Sequence, residues 1–70
     1  MIYKRIRDLR EDHDLTQTQV GKGINVSQRT YAYYESGGRM IPPEVLVAIA
    51  DFYNVSVDYI LERTDEKNIK

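Results

Sequence analysis

Cysteine is absent from this chain of 70 residues, and histidine occurs once, as His13. The first absence excludes a disulfide framework and thiolate metal sites, and one histidine cannot build a metal site alone. Long hydrophobic runs are missing too. The opening MIYKRIRDLRED is charged, and no stretch approaches the ~20 apolar residues that cross a bilayer. Neither a signal peptide nor a membrane helix is therefore visible, and a cytoplasmic protein without a membrane partner is expected. Strong charge of either sign is also lacking, the formal net charge being −1. That balance argues mildly against a phosphate-rich partner, because nucleic-acid binders usually carry a basic footprint. Its distribution tempers the objection. Residues 1–40 hold seven Lys/Arg against five Asp/Glu, whereas residues 41–70 hold three against six. Only the first half is a plausible anion-facing surface.

What remains is a single small domain that must fold on apolar side chains, near the lower size limit for a core without staples. No run alternates for long like a half-buried strand, while apolar residues recur three and four apart, so the chain reads as all-α. A first helix is expected from about Ile2 to Asp12, with Ile2, Ile6 and Leu9 on one face. Thr16 opens a second, because Thr16-x-x-Gln19 is a capping box, and Val20 and Ile24 supply its apolar side. Gly21 and Gly23 inside it each cost about 1 kcal/mol of helix propensity. Asn25 suits the left-handed residue of a tight turn. Ser27 then caps a third helix over Gln28 to Ser36, stopped by Gly37-Gly38. Pro43 fits the first turn of a fourth helix carrying Leu46, Ile49, Ala50 and Tyr53 and ending at Asn54. Ser56 caps a short fifth, where Val57, Ile60 and Leu61 finish the core. The domain is expected over residues 1–63, with 64–70 a polar, frayed tail.

The third helix contains three of the six tyrosines. At about 100° per residue, Gln28, Arg29, Ala32, Tyr33 and Ser36 share an arc of about 140°, and Tyr31 and Tyr34 lie opposite. The latter two read as core aromatics whose hydroxyls reach an edge. The polar arc has two readings. It is either a solvated face or, following a tight turn, the recipe for reading a DNA major groove. Arg can bond guanine O6 and N7, Gln can bond adenine N6 and N7, and Ala or an aromatic edge can touch a thymine methyl.

From Ile6 to Leu61 the chain resembles the XRE/Cro-type helix-turn-helix regulators, which include lambdoid phage repressors. IRDLREDHDLTQTQVGKGINVSQRTYAYYESGGR is similar to the family's opening, and IPPEVLVAIADFYNVSVDYILERTD to the second half of many Gram-positive and prophage members. The resemblance implies a five-helix, lambda-repressor-like DNA-binding domain that binds a palindromic double-stranded operator, usually as a homodimer, and regulates transcription, most simply as a repressor or phage control protein. Residue by residue, it places Gln28, Arg29, Ala32 and Tyr33 at base-reading positions. Gln17 falls where the family touches a phosphate through its backbone and orients the first of these, Thr16 and Ser27 at caps near the DNA backbone, and Arg39 in a loop that grips it. Arg7 and Lys22 would add electrostatic contacts. Arg10 and Glu35 fall where an ion pair often joins helix 1 to helix 3. Val57 and Tyr59 are the dimer-interface candidates. Tyr33 departs from the family's usual polar residue, which leaves base preference open.

Two other classes of function bear on the same residues. A protein-interaction module, such as the antitoxin of a toxin–antitoxin pair, could use the acidic second half as a docking face. An enzyme is not expected, because the one titrating cluster, His13 between Asp12 and Asp14, sits in a connection without a nucleophile arrangement or phosphate loop. No cofactor, metal or small-molecule ligand is expected.

Overall fold

The computed structural model describes residues 3–66, so the expected contribution of Ile2 to the first helix lies outside the described residues. Five helices follow one another: α1 Lys4–Asp12, α2 Gln17–Gly23, α3 Gln28–Ser36, α4 Pro43–Tyr53 and α5 Val57–Ile60. Among the described residues there is no strand.

The helix starts follow from hydroxyl chemistry. Thr16, Ser27 and Ser56 each accept from the backbone N–H three residues on, at 3.0 to 3.1 Å. The Thr16 box is reciprocal, since its own N–H donates to Gln19 Oε1 at 2.8 Å. α4 has no side-chain cap and begins on Pro42-Pro43, where the missing N–H would be unsatisfied anyway.

All five helices stop in the same way. A residue with positive φ follows each one, namely Asp14, Asn25, Gly37, Asn54 and Glu62. The next N–H then reaches back five residues, as in Val26 N–H to Gly21 O at 2.8 Å and Arg63 N–H to Asp58 O at 2.8 Å. This bond satisfies a carbonyl that the helix end would leave orphaned. One of the five left-handed positions is glycine and three are Asn or Asp, whose short polar side chains ease this conformation, so Glu62 alone carries the full steric cost. The turn between α2 and α3 is this motif at Asn25, and it sets the entry of α3.

Ile6, Val20, Tyr31, Ile49 and Ile60 form the fully buried centre, with one residue from each helix. Tyr34, Ala50, Tyr53 and Val55 surround it, while Val26, Leu46, Val57 and Leu61 pack partly buried against it. Tyr3 is buried as well, and its hydroxyl accepts from the Ile41 N–H at 3.2 Å, tying the chain start to the loop before α4.

Two arrangements differ from the sequence expectation. Gly23 is more than a cost in helix propensity, because a Cβ there would lie 2.3 Å from Cε1 of Phe52, whose ring covers the end of α2. The segment read as a frayed tail is held at its start. Arg5 donates to Thr64 O at 2.6 Å and to Asp65 Oδ1 at 2.8 Å, and its guanidinium carbon sits 4.2 Å from the Tyr59 ring centroid.

Candidate nucleic-acid interface

The exposed arc of α3 is built by the packing of its opposite side. Tyr31 and Tyr34 are 0% and 5% exposed, which turns Gln28, Arg29 and Tyr33 outward, with Ala32 half-buried between them. Tyr33 is 37% exposed, so the three tyrosines divide as the wheel divides them.

Beneath this arc runs a chain of polar contacts joining α1, α2 and α3. Arg10 binds Glu35 with two bonds, Nε to Oε2 at 2.6 Å and Nη2 to Oε1 at 3.1 Å, and its Nη1 donates to Leu15 O at 3.0 Å. The pair is sheltered, with side-chain exposures of 17% and 6%. Gln17 Nε2 donates to Glu35 Oε1 at 3.3 Å, and Gln28 Nε2 donates to Gln17 Oε1 at 2.8 Å. The order has a chemical cause. An ionised carboxylate only accepts, so Gln17 must turn its amide nitrogen inward and its oxygen outward. That oxygen takes one N–H of Gln28, leaving Gln28 with one N–H and its carbonyl oxygen. Those are the donor and acceptor that an adenine edge requires.

Electrostatics keep the chain in this state. Burial works against the charge on Glu35, but bonding from Arg10, helped by Gln17, outweighs it and holds the carboxyl below its ordinary value. The same bond with Glu35 raises Arg10 against the effect of its burial. Burial pushes the Tyr31 phenol far up and that of Tyr53 up to about 12. Both hydroxyls are buried near the carboxylate and meet no partner in direct bonding geometry.

The other predicted residues fall around the arc. Thr16 and Ser27 are exposed caps. The Ser27 hydroxyl already accepts from the Thr30 N–H and donates to Thr30 Oγ1 at 2.9 Å. Arg7 borders an open cleft of about 250 Å³, lined also by Arg10, Gln17, Ala32, Glu35 and Ser36. Its 3.4 Å bridge to Glu11 is solvent-exposed and so worth little. Lys22 and Arg29 are exposed and make no ion pair among the described residues. Arg39 lies over the Tyr33 ring, 5.0 Å from its centroid, a contact that residue spacing did not disclose. Val57 and Tyr59 sit apart from this face, both half-buried, Tyr59 under the Arg5 guanidinium. His13 is engaged at the end of α1, with Nδ1 2.8 Å from Leu9 O and its ring against Tyr53. Among the described residues no helix is long and apolar enough to cross a membrane, and no His/Cys/Asp/Glu group could hold a metal.

Two helices joined by a tight turn, the second presenting a polar arc, define a helix-turn-helix domain. Residues 6–60 match the helix-turn-helix family, and the chain belongs to it, in the XRE-type branch that includes phage repressors. It is 40% identical over its whole length to an HTH-type transcriptional regulator, YobD, of Bacillus subtilis, covering 62% of that protein. It is also 40% identical over 81% of its length to the CTXphi transcriptional repressor RstR of Vibrio cholerae, covering 51% of it, and 36% identical over 89% to the antitoxin PezA of Streptococcus pneumoniae, covering 40%. The chain thus spans less than two thirds of the length of these relatives. The fold is lambda-repressor-like: the P22 c2 repressor, solved in complex with a synthetic operator, superposes with a TM-score of 0.79 at 26% identity, over 86% of this chain and 92% of that one.

Proposed function

We propose that this protein is a sequence-specific double-stranded DNA-binding transcriptional regulator that lays α3 in the major groove. The observation that carries the reading is the outward arc of Gln28, Arg29, Ala32 and Tyr33, with Gln28 held in one orientation by the chain through Gln17, Glu35 and Arg10. A solvated face needs no such support. A reading residue gains from it, because fixing the amide beforehand lowers the entropy lost on binding.

In this arrangement Gln28 and Arg29 contact base edges, while Arg7, Lys22, Arg39 and the starts of α2 and α3 at Thr16, Gln17 and Ser27 fix the domain on the phosphates. Since the Ser27 hydroxyl is engaged with Thr30, its part in phosphate contact falls to the backbone. The phage repressors among the relatives and the repressor–operator complex support action as a repressor or mobile-element control protein in the cytoplasm. Reading a palindrome requires a two-fold arrangement with half-sites about 34 Å apart, and the half-buried Val57 and Tyr59 around α5 are the candidate contact between copies. The chain acts by binding, with no catalysis and no cofactor. An antitoxin is among its relatives; a toxin docked on the acidic second half would leave the α3 arc free, so that reading is compatible with DNA binding and does not by itself account for the supported arc.

The test is selection of bound sequences from random duplexes at two salt concentrations, with sedimentation on the selected duplex. A defined palindrome bound by two copies is expected. Binding of all duplexes alike, falling steeply with salt, would leave only non-specific phosphate contact.

A further inference from the structure

The end of α3 is folded back on Tyr33. Gly37 takes φ 82, the Gly38 N–H donates to Tyr33 O at 2.9 Å, and the Ser36 hydroxyl donates to the same oxygen at 3.1 Å. The turn runs so close to the ring that a Cβ on Gly38 would lie 3.3 Å from Tyr33 Cδ1. Arg39 follows at once, with its guanidinium carbon 5.0 Å from the ring centroid. It is exposed and forms no ion pair among the described residues, so the ring is what restrains it. A cation over an aromatic face is attracted by the ring quadrupole and loses rotamer freedom before any ligand arrives.

These contacts bear on what Tyr33 does. A ring whose face is occupied by Arg39 and whose edge meets a backbone turn is poorly placed to choose among bases by itself. We propose that Tyr33 is a positioning residue: its ring holds the Arg39 guanidinium beside the end of the recognition helix for a duplex phosphate, and the pair acts as one contact while Gln28 and Arg29 read sequence. The inference rests on the DNA-binding reading. It departs from the assignment of Tyr33 as an independent base reader.

The test is a double-mutant cycle on the full chain: parent, Tyr33→Phe, Tyr33→Leu, Arg39→Ala and Tyr33→Leu/Arg39→Ala, titrated on the selected duplex and on a random one over a range of salt. Tyr33→Phe keeps the ring and should bind as the parent does. Tyr33→Leu should weaken both duplexes by the same factor, about two- to fivefold. Its salt slope should fall toward that of Arg39→Ala, which loses ~0.9 for one phosphate. Adding Tyr33→Leu to Arg39→Ala should change little. In the unbound protein, NMR should show the Arg39 methylene protons shifted upfield by the ring, in Tyr33→Phe but not in Tyr33→Leu. Independent losses that multiply in the double variant, or a Tyr33→Leu that alters preference at one base pair with an unchanged slope, would overturn the positioning role alone. A parent that prefers no duplex would remove the DNA-reading proposal and this one with it.

Discussion

Replacing Glu35 with leucine removes the acceptor on which three hydrogen bonds converge, two from Arg10 and one from Gln17. The pair is 17% and 6% exposed, so the deletion strands a guanidinium that is largely shielded from water. Breaking a buried pair from one side costs about 3 to 5 kcal/mol. Arg10 keeps its bond to Leu15 O and some contact with solvent, which favours the lower end, about 3 kcal/mol. A domain of this size holds roughly 3 to 10 kcal/mol in total. With a urea slope of about 1 kcal/mol/M, the midpoint followed by circular dichroism should drop by about 3 M. Removing both charges in Arg10→Met/Glu35→Leu should restore stability to within about 1 kcal/mol of the parent, because no charge is left uncompensated, although Leu15 O and the Gln17 amide each lose a partner. Stability and function then part company. The double variant folds, yet Gln17 has lost the carboxylate that turns its amide, and Gln28 loses its fixed orientation. Discrimination at the base pair read by Gln28 should fall although the fold persists. A Glu35→Leu loss below ~1 kcal/mol, the range of an exposed pair, would refute the reasoning. So would strictly additive single and double variants.

Three further outcomes follow from the packing and the charges. Gly23→Ala should destabilise the parent by about 1 kcal/mol, because the new methyl displaces the Phe52 ring, but should stabilise a Phe52→Ala background by up to about 1 kcal/mol through helix propensity, both read from urea midpoints. Tyr53→Phe removes a buried hydroxyl that has no bonding partner, so its stability should be unchanged or raised by up to about 1 kcal/mol. The folded-state carboxyl of Glu35 is held below its ordinary value of 4.5, so its contribution is fully present above that value and is lost as pH falls through the folded value. Stability measured from pH 7 downward should therefore drop below about pH 4.5, and less steeply in Arg10→Met/Glu35→Leu than in the parent.

The parts of the fold that were legible are those governed by neighbours in sequence. Hydroxyl caps at Thr16, Ser27 and Ser56 and stops at Asn25, Gly37 and Asn54 are local chemistry, and residue type announces them. Asp14 and Glu62 complete the same stop motif less visibly, since Asp visits positive φ only occasionally and Glu lacks the short polar side chain that eases it. The wheel separated Tyr31 and Tyr34 from Tyr33 because one helix face is a local property. Contacts between distant elements were not legible. The Tyr3 hydroxyl at Ile41, Arg5 at Thr64 and Phe52 over Gly23 depend on how helices cross. Resemblance paired Arg10 with Glu35 and Gln17 with Gln28, whereas the Tyr33–Arg39 stack depends on the turn that returns the chain over the helix end.

The central claim, that α3 reads bases, is tested most directly by selecting duplexes from a random pool with the parent and with Arg29→Ala. The parent should yield a palindrome. The Arg29→Ala variant should lose ~1 to 3 kcal/mol on it and show a flattened preference at one symmetry-related base pair, with the remaining positions kept. An unchanged consensus from Arg29→Ala, or equal weakening on selected and random duplexes, would contradict base reading by this helix.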